Sequence, residues 1–442
     1  MNRKTCRAFY ACVIPSVLAF ALSGVYTIVD GFFVGRSVGD IGLSTINIAY
    51  PVVSLLQALG TGIGMGGAVM YTLSLSSGRQ DEAGKYLRCT TLLLLAVSAV
   101  LTVLLFCTMT PILRLLGAGG EMVTLGVEYL EYIAAGAVFQ IFATGVVPII
   151  RNNHGAKFAM GTMIAGFLCN IVLDYLFVWV CEWSVAGAAL ATIIGQALTA
   201  AGGFLYLARH RIPVWGIRLK GCGKCIRDIF KIGIAPFGIS LTPLISQIFM
   251  NRFSMRYGGE MAVASYACIA YVFTIVCLLV QGVGDGSQPL ISQYYGQKDT
   301  GAVLRTRKLA YGTAAVLAVL CMAGVYAVRG WIGPVLGVSA ATAENVAAVL
   351  PVFLSSYLFL AFSRVTTAVF YAMEKAGYSY TLVCIEPVLQ VLLLLVLPRF
   401  WEQMGVWWSM PLAQILTAVA AVGLKVWADR SWSLMVQEKN RA

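Results

Sequence analysis

The sequence predicts an all-α polytopic membrane protein with twelve transmembrane helices in two pseudo-symmetric six-helix lobes. Three observations carry that expectation. The 442 residues are 59% hydrophobic and only 11% charged, against roughly 45–50% and about 25% in soluble proteins. So little polar surface cannot cover a water-facing fold of this size, and lipid has to solvate most of the exterior. Most of the charges also fall in gaps between long uncharged runs, and the second half of the chain repeats the first.

A spanning helix needs about 20 mainly apolar residues. In the first half the uncharged runs are 8–29, 41–78, 89–113, 132–150 and 183–208, and between Lys157 and Glu182 only Asp174 is charged. Glu128 and Glu131 read as the solvated start of the fourth span. The second half supplies 232–251, 261–284, 309–328, 345–363 and 403–424, with 376–398 interrupted only by Glu386. No alternating ten-residue pattern of a membrane barrel is present, so the spans are helices. The start, MNRKTCR before an apolar stretch with Ala19-Phe20-Ala21 inside it, has the outline of a cleavable leader. The stretch is longer than a leader's apolar region, however, and runs on to Asp30.

Lys and Arg in the short flanks set the orientation. With the N-terminus inside, 24 of them fall on the cytoplasmic side: residues 3–7, 79–88, Arg151, Lys157, 209–231, 298–308, Lys375 and the tail. Six (Arg36, Arg114, Arg252, Arg256, Arg329 and Arg399) fall outside, and with Arg364 inside a span these account for all 31. The expectation is a multi-pass protein of the inner (plasma) membrane with both termini cytoplasmic. Its net charge of +12 is a topology signal and a contact to lipid headgroups; no basic domain for nucleic acid accompanies it.

Sliding the chain by 221 residues puts Pro15 on Pro236, Asp30 on Asn251, and Ile48-Ala49-Tyr50 on Ile269-Ala270-Tyr271. With small slips, Gly62, Gly64 and Gly66 meet Gly282, Gly284 and Gly286, and Gly78-Arg79-Gln80-Asp81 meets Gly296-Gln297-Lys298-Asp299. Six spans per copy is an even number, so both copies enter the membrane in the same direction, the parallel-repeat plan of some secondary transporters. The expected organisation is a lobe at 1–208, a basic cytoplasmic linker at 209–231 that tethers without transporting, and a lobe at 232–442.

Charges inside spans are costly, by about 2.5–3.5 kcal/mol each on insertion scales, and so suggest function. Four acids qualify: Asp30, Asp174, Asp285 and Glu386. Asn170 and Asp174 are four apart and share a helix face, a spacing suited to a hard monovalent cation or a proton relay. The alternative is that Asp30 is solvated near the outer mouth and Asp174 bonds a neighbouring hydroxyl for packing. Glu386 and Arg364 are read as a pair across neighbouring helices, with substrate or proton contact as the other possibility. Asp285 is expected to face water at the cytoplasmic end of its helix. Tyr50, Gln57, Tyr271, Gln281 and Tyr357, with Tyr266 and Tyr371, are candidates to line a cavity that takes flat cations by stacking, against packing or interface anchoring.

These residues together resemble a known family, the multidrug and toxic compound extrusion (MATE) transporters. The resemblance rests on Pro15, the Val29-Asp30-Gly31-Phe32-Phe33-Val34-Gly35 end of the first helix, the glycine ladder of the second, the string from Gly282 to Gly296 with Gln288-Pro289, and Gly187-Ala188-Ala189. It implies export of organic cations driven by H+ or Na+, and a coupling site at the matching positions Asp30, Asn170, Asp174 and Thr192. Arg364 and Glu386 join the candidate substrate cavity.

Several motifs lead elsewhere and are set aside. Gly62-Ile63-Gly64-Met65-Gly66-Gly67 fits a dinucleotide fingerprint, but the strand and soluble βαβ unit it requires are missing. Small residues for close helix approach are the better account. Cys222 and Cys225 offer too few ligands for a metal or redox site, and the two histidines, His154 and His210, lie in loops. No resident cofactor or metal is expected, and the chain should work as a monomer. The runner-up function is a flippase for lipid-linked oligosaccharides, which would need more cations in its cavity. An enzyme is not expected, for want of a Mg2+-diphosphate acid pair, HExxH or a large catalytic loop, and without a P-loop the energy source is expected to be an ion gradient.

Overall fold

The computed structural model describes residues 3–37, 39–210, 212 and 222–441. Within these, the side chains at 3, 27, 28, 30–32, 34–37, 39, 40, 43 and 431–441 lie outside the description. The described residues form helices and contain no strand. In order they are α1 (Arg3–Ser37), α2 (Gly39–Ser76), α3 (Gln80–Leu115), α4 (Glu121–Ala135), α5 (Ala137–Asn152), α6 (Ala156–Asp174), α7 (Ser184–Arg209), α8 (Cys222–Gly296), α9 (Thr300–Val335), α10 (Ala340–Leu354), α11 (Tyr357–Ala372), α12 (Ala376–Val396) and α13 (Pro398–Arg441).

Nine of these, among the described residues, are long and apolar enough to cross a membrane alone, and two further pairs qualify as bent spans. One of the nine, α8, is two spans: Gly259, at φ 67° and ψ −160°, leaves helical geometry in its middle, a conformation that costs glycine little. Counting α8 twice and each bent pair once gives twelve. The fourth span differs from the run expected at 132–150. It begins at Glu121 and bends by 54° between α4 and α5, where a Cβ on Gly136 would fall on the Ile193 side chain. Glu128 and Glu131 are exposed. The tenth span bends by 48° between α10 and α11. There the Ser355 and Ser356 hydroxyls each donate to a carbonyl three residues back, at 2.6 Å, a bond that competes with the helical ladder.

The chain divides into two compact units: Met1–Leu241 with Asp285–Thr306, and Thr242–Gly284 with Arg307–Ala442. In the first, the glycine ladder of α2 serves three neighbours. A Cβ on Gly64 would strike the Gly145 backbone of α5, one on Gly67 would strike Thr90 of α3, and one on Gly66 would strike the Ile229 carbonyl in the first turns of α8. In a bilayer, helices associate by van der Waals packing, so backbone contact of this kind is what small residues provide. The second unit is centred on aromatics: Phe353 meets Trp407 with centroids 6.0 Å apart and Tyr266 at 6.4 Å, and all three are buried.

Candidate functional site

The first candidate site lies where α6 crosses α7. Glycines set the crossing: a Cβ on Gly166 would meet Thr199 Oγ1 and the Gly195 carbonyl, and one on Gly195 would meet Asn170 Cβ. That approach brings two polar side chains together. Asn170 donates from Nδ2 to Thr192 Oγ1 at 3.4 Å, and Asn170 Oδ1 is buried without a hydrogen-bond partner among the described residues. Asp174, fully buried, is the last residue of α6. Directly after it the backbone widens into a π-helical turn, Tyr175–Val180, a rare geometry that recurs at functional sites. A small cavity, with room on the order of one water, opens beside Asn170 and Thr192 and is also lined by Tyr26, Gln196 and Thr199. Tyr26 of α1 stacks on Phe167 of α6 at 5.2 Å, which holds α1 against this face. The Asp30 side chain lies outside the described residues, so the fourth expected member enters from sequence alone.

A charge inside hydrocarbon is tolerated only with partners, and the second unit shows such an arrangement. Arg364 of α11 donates to Glu386 of α12 at 3.3 Å, both are buried, and Gln414 of α13 donates to the same Glu386 oxygen at 2.8 Å. One turn beyond Glu386, Gln390 accepts from Ser246 at 2.5 Å. Gln414 Oε1, Gln390 Nε2 and the Tyr357 hydroxyl are buried with no partner among the described residues. Counting only charges in the spans missed Gln390 and Gln414; counting buried amides in otherwise apolar runs finds them.

The other candidates fall as follows. Tyr357 is fully buried against Phe273, 6.0 Å between centroids, and Tyr266 and Tyr371 are buried as well. Tyr50 in the first unit and Tyr271 in the second are exposed, and Gln57 and Gln281 are half-buried. Asp285 does not face water. It is 2% exposed and lies 3.7 Å from Arg151 at the end of α5, whose guanidinium also sits over the Phe20 ring at 5.8 Å. Beside that pair, Asn152 donates to Gln288 at 2.9 Å and accepts from Thr72 at 2.6 Å. The positive-inside count registered Arg151 only as a flanking charge, because the repeat that delivers Asp285 to it is distant in sequence. Residues 222–231, taken with the linker, are the first turns of α8; residues 211 and 213–221 lie outside the described residues.

The MatE family profile matches the chain twice, over residues 15–176 and 237–396, two matches in register with the internal repeat. The chain is 26% identical over 414 residues to the multidrug export protein MepA of Staphylococcus aureus (strain MRSA252), covering 92% of this chain and 91% of that one. It is 24% identical over the same span to MepA of Staphylococcus saprophyticus. Among solved structures, an outward-facing multidrug resistance MATE family transporter of the MOP superfamily superposes with a TM-score of 0.90 at 21% identity, covering 97% of this chain and 96% of that one. A MOP superfamily transporter from Pyrococcus furiosus, whose binding pocket of reverse polarity suggests a different function, superposes with a TM-score of 0.89 at 21% identity over 97% and 96%. With both repeats covered by the profile and the helical fold shared throughout, this membrane-spanning chain belongs to the MatE family of multidrug and toxic compound extrusion transporters.

Proposed function

We propose that this chain exports organic, mostly cationic compounds across the inner (plasma) membrane by antiport with H+ or Na+, working as a monomer with both termini cytoplasmic. The observation that carries this reading is the buried Asn170–Thr192 pair beside Asp174 at the α6–α7 crossing, a set of hard oxygen donors deep in an apolar helix bundle. Such donors suit a proton or a small hard cation. Asp30 joins them in this proposal, and the two repeats act as lobes at 1–208 and 232–442 joined by 209–231. Two carboxylates in low dielectric do not both stay ionised cheaply. Cation uptake therefore neutralises the site and lets α1 repack against α6, and that change weakens the hold on the exported compound. The relatives named for multidrug export support the substrate class. The flippase reading is weaker, since the span cation Arg364 already donates to Glu386 and is not free to hold phosphate. The test is efflux of ethidium from proteoliposomes with pH and Na+ gradients imposed separately. Export driven by one of them supports the proposal; export indifferent to both overturns it.

A further inference from the structure

Three thiols meet where α3 passes the first turn of α8. Cys89 Sγ lies 3.3 Å from Cys222 Sγ although the two are 133 residues apart in the chain, and the Cys225 thiol also reaches Cys89. The sequence offered only the Cys222–Cys225 pair, and the fold supplies the third sulfur. Their exposures differ. Cys89 and Cys225 are buried, at 2% and 8%, whereas Cys222 is partly open to solvent. Cys222 is thus the sulfur a small reagent reaches first, and a second thiol waits in contact behind it. An S–S bond is about 2.04 Å, so closing it requires the sulfurs to approach by little more than roughly 1 Å. Around the cluster, Lys85 and Asp228 are close enough for their charges to act on Cys225, and Asp228 accepts a hydrogen bond from Tyr86 at 2.8 Å. The turn that carries Cys222 and Cys225 leads directly into the backbone contact between Ile229 and Gly66, and then into the contact between Gly233 and Gly62.

We propose that Cys222 and Cys89 form a redox-modification site: a dithiol with one solvent-reachable and one buried sulfur that a hydroperoxide oxidises to a disulfide, stapling α8 to α3 and slowing export, with Cys225 as the alternative partner. This rests on the transport reading above only for its effect on export. The Cys222 sulfur attacks the peroxide, forming an S–O bond as the O–O bond breaks, and the departing oxygen leaves as an alcohol or water. Cys89 sulfur then attacks Cys222 sulfur, forming S–S as the S–O bond breaks and water leaves. Two thiols are oxidised by two electrons and one hydroperoxide is reduced. A dithiol reductant reverses the bond by exchange. A disulfide on the face assigned to the cytoplasm is expected to be transient, as cytosolic redox-sensing disulfides are.

The test uses the full chain in proteoliposomes. Hydrogen peroxide is titrated in, free thiols are blocked with N-ethylmaleimide, and linked peptides are mapped by non-reducing mass spectrometry while ethidium efflux is followed. The expected result is a peptide linking Cys222 to Cys89 or Cys225 before the other cysteines react. Efflux should fall at least threefold and recover with dithiothreitol, and Cys222→Ser should export normally at every peroxide dose. Absence of a linked peptide at Cys222, a linked peptide with unchanged efflux, or equal inhibition of Cys222→Ser overturns the proposal. Reduced protein that exports nothing overturns the transport reading instead, and the peptide map then decides the thiol site.

Discussion

A single hydroxyl separates the alternatives open at the α6–α7 crossing. If Thr192 only fills space, Thr192→Val should leave transport as it is. If its oxygen holds the coupling ion together with Asn170, the loss of one buried hydrogen bond costs about 1 kcal/mol. The driving-ion concentration for half-maximal efflux should then rise by about fivefold with little change in fold, as a titration of efflux against pH or Na+ would show. Asp30→Asn and Asp174→Asn should each abolish gradient-driven export while the protein still inserts, with an intact size-exclusion profile in detergent as the control. Wild-type export and unchanged ion dependence in either variant would move the search to Glu386. That residue makes a second test possible. Its oxygen accepts from both Arg364 and Gln414, so Arg364→Ala leaves a buried carboxylate short of its cation, a loss of about 3–5 kcal/mol for a buried pair. The thermal unfolding midpoint should drop. The double variant Arg364→Met with Glu386→Gln should recover most of it, because no uncompensated charge remains.

At the scale of the element, the glycines of α2 are where sequence pattern and packing meet. Gly64 lies against the Gly145 backbone and Gly66 against the Ile229 carbonyl, so no side-chain rotation can make room there. Gly64→Val should force α2 and α5 apart and yield little folded protein, measured as the monodisperse fraction after extraction. Gly161 on α6 has open space where its Cβ would stand, and Gly161→Ala should be neutral or stabilising by up to about 1 kcal/mol, since alanine loses less conformational freedom in a helix. Equal behaviour of the two variants would show that helix propensity, rather than backbone approach, governs these positions. The bends are less legible. Gly136 and the Ser355–Ser356 pair look unremarkable in sequence, and only the presence of Ile193 beside one and the hydroxyl-to-carbonyl bonds at the other account for angles of 54° and 48°.

For the whole molecule, the distribution of basic residues makes an independent prediction. With the N-terminus taken as cytoplasmic, twenty-four flanking Lys and Arg would lie inside and six outside, the bias expected of that orientation, so a reporter active only in the cytoplasm should work when fused to the C-terminus. The same reporter inserted at Gly119, between α3 and α4, should be silent. The reverse pattern would invert the assignment of both termini.

Composition, run length and the repeat were enough to determine an all-helical membrane chain of two related halves, because solvation by lipid imposes a length and an apolarity on every span regardless of what it packs against. The partners of the charges were not determined in that way. Asp285 reads as a solvated end and is buried against Arg151, and Cys222 reads as a linker cysteine and touches Cys89. Each of those contacts joins residues more than a hundred positions apart. A sequence records what a residue costs to bury, but which distant group compensates that cost is settled only when helices far apart in the chain pack side by side.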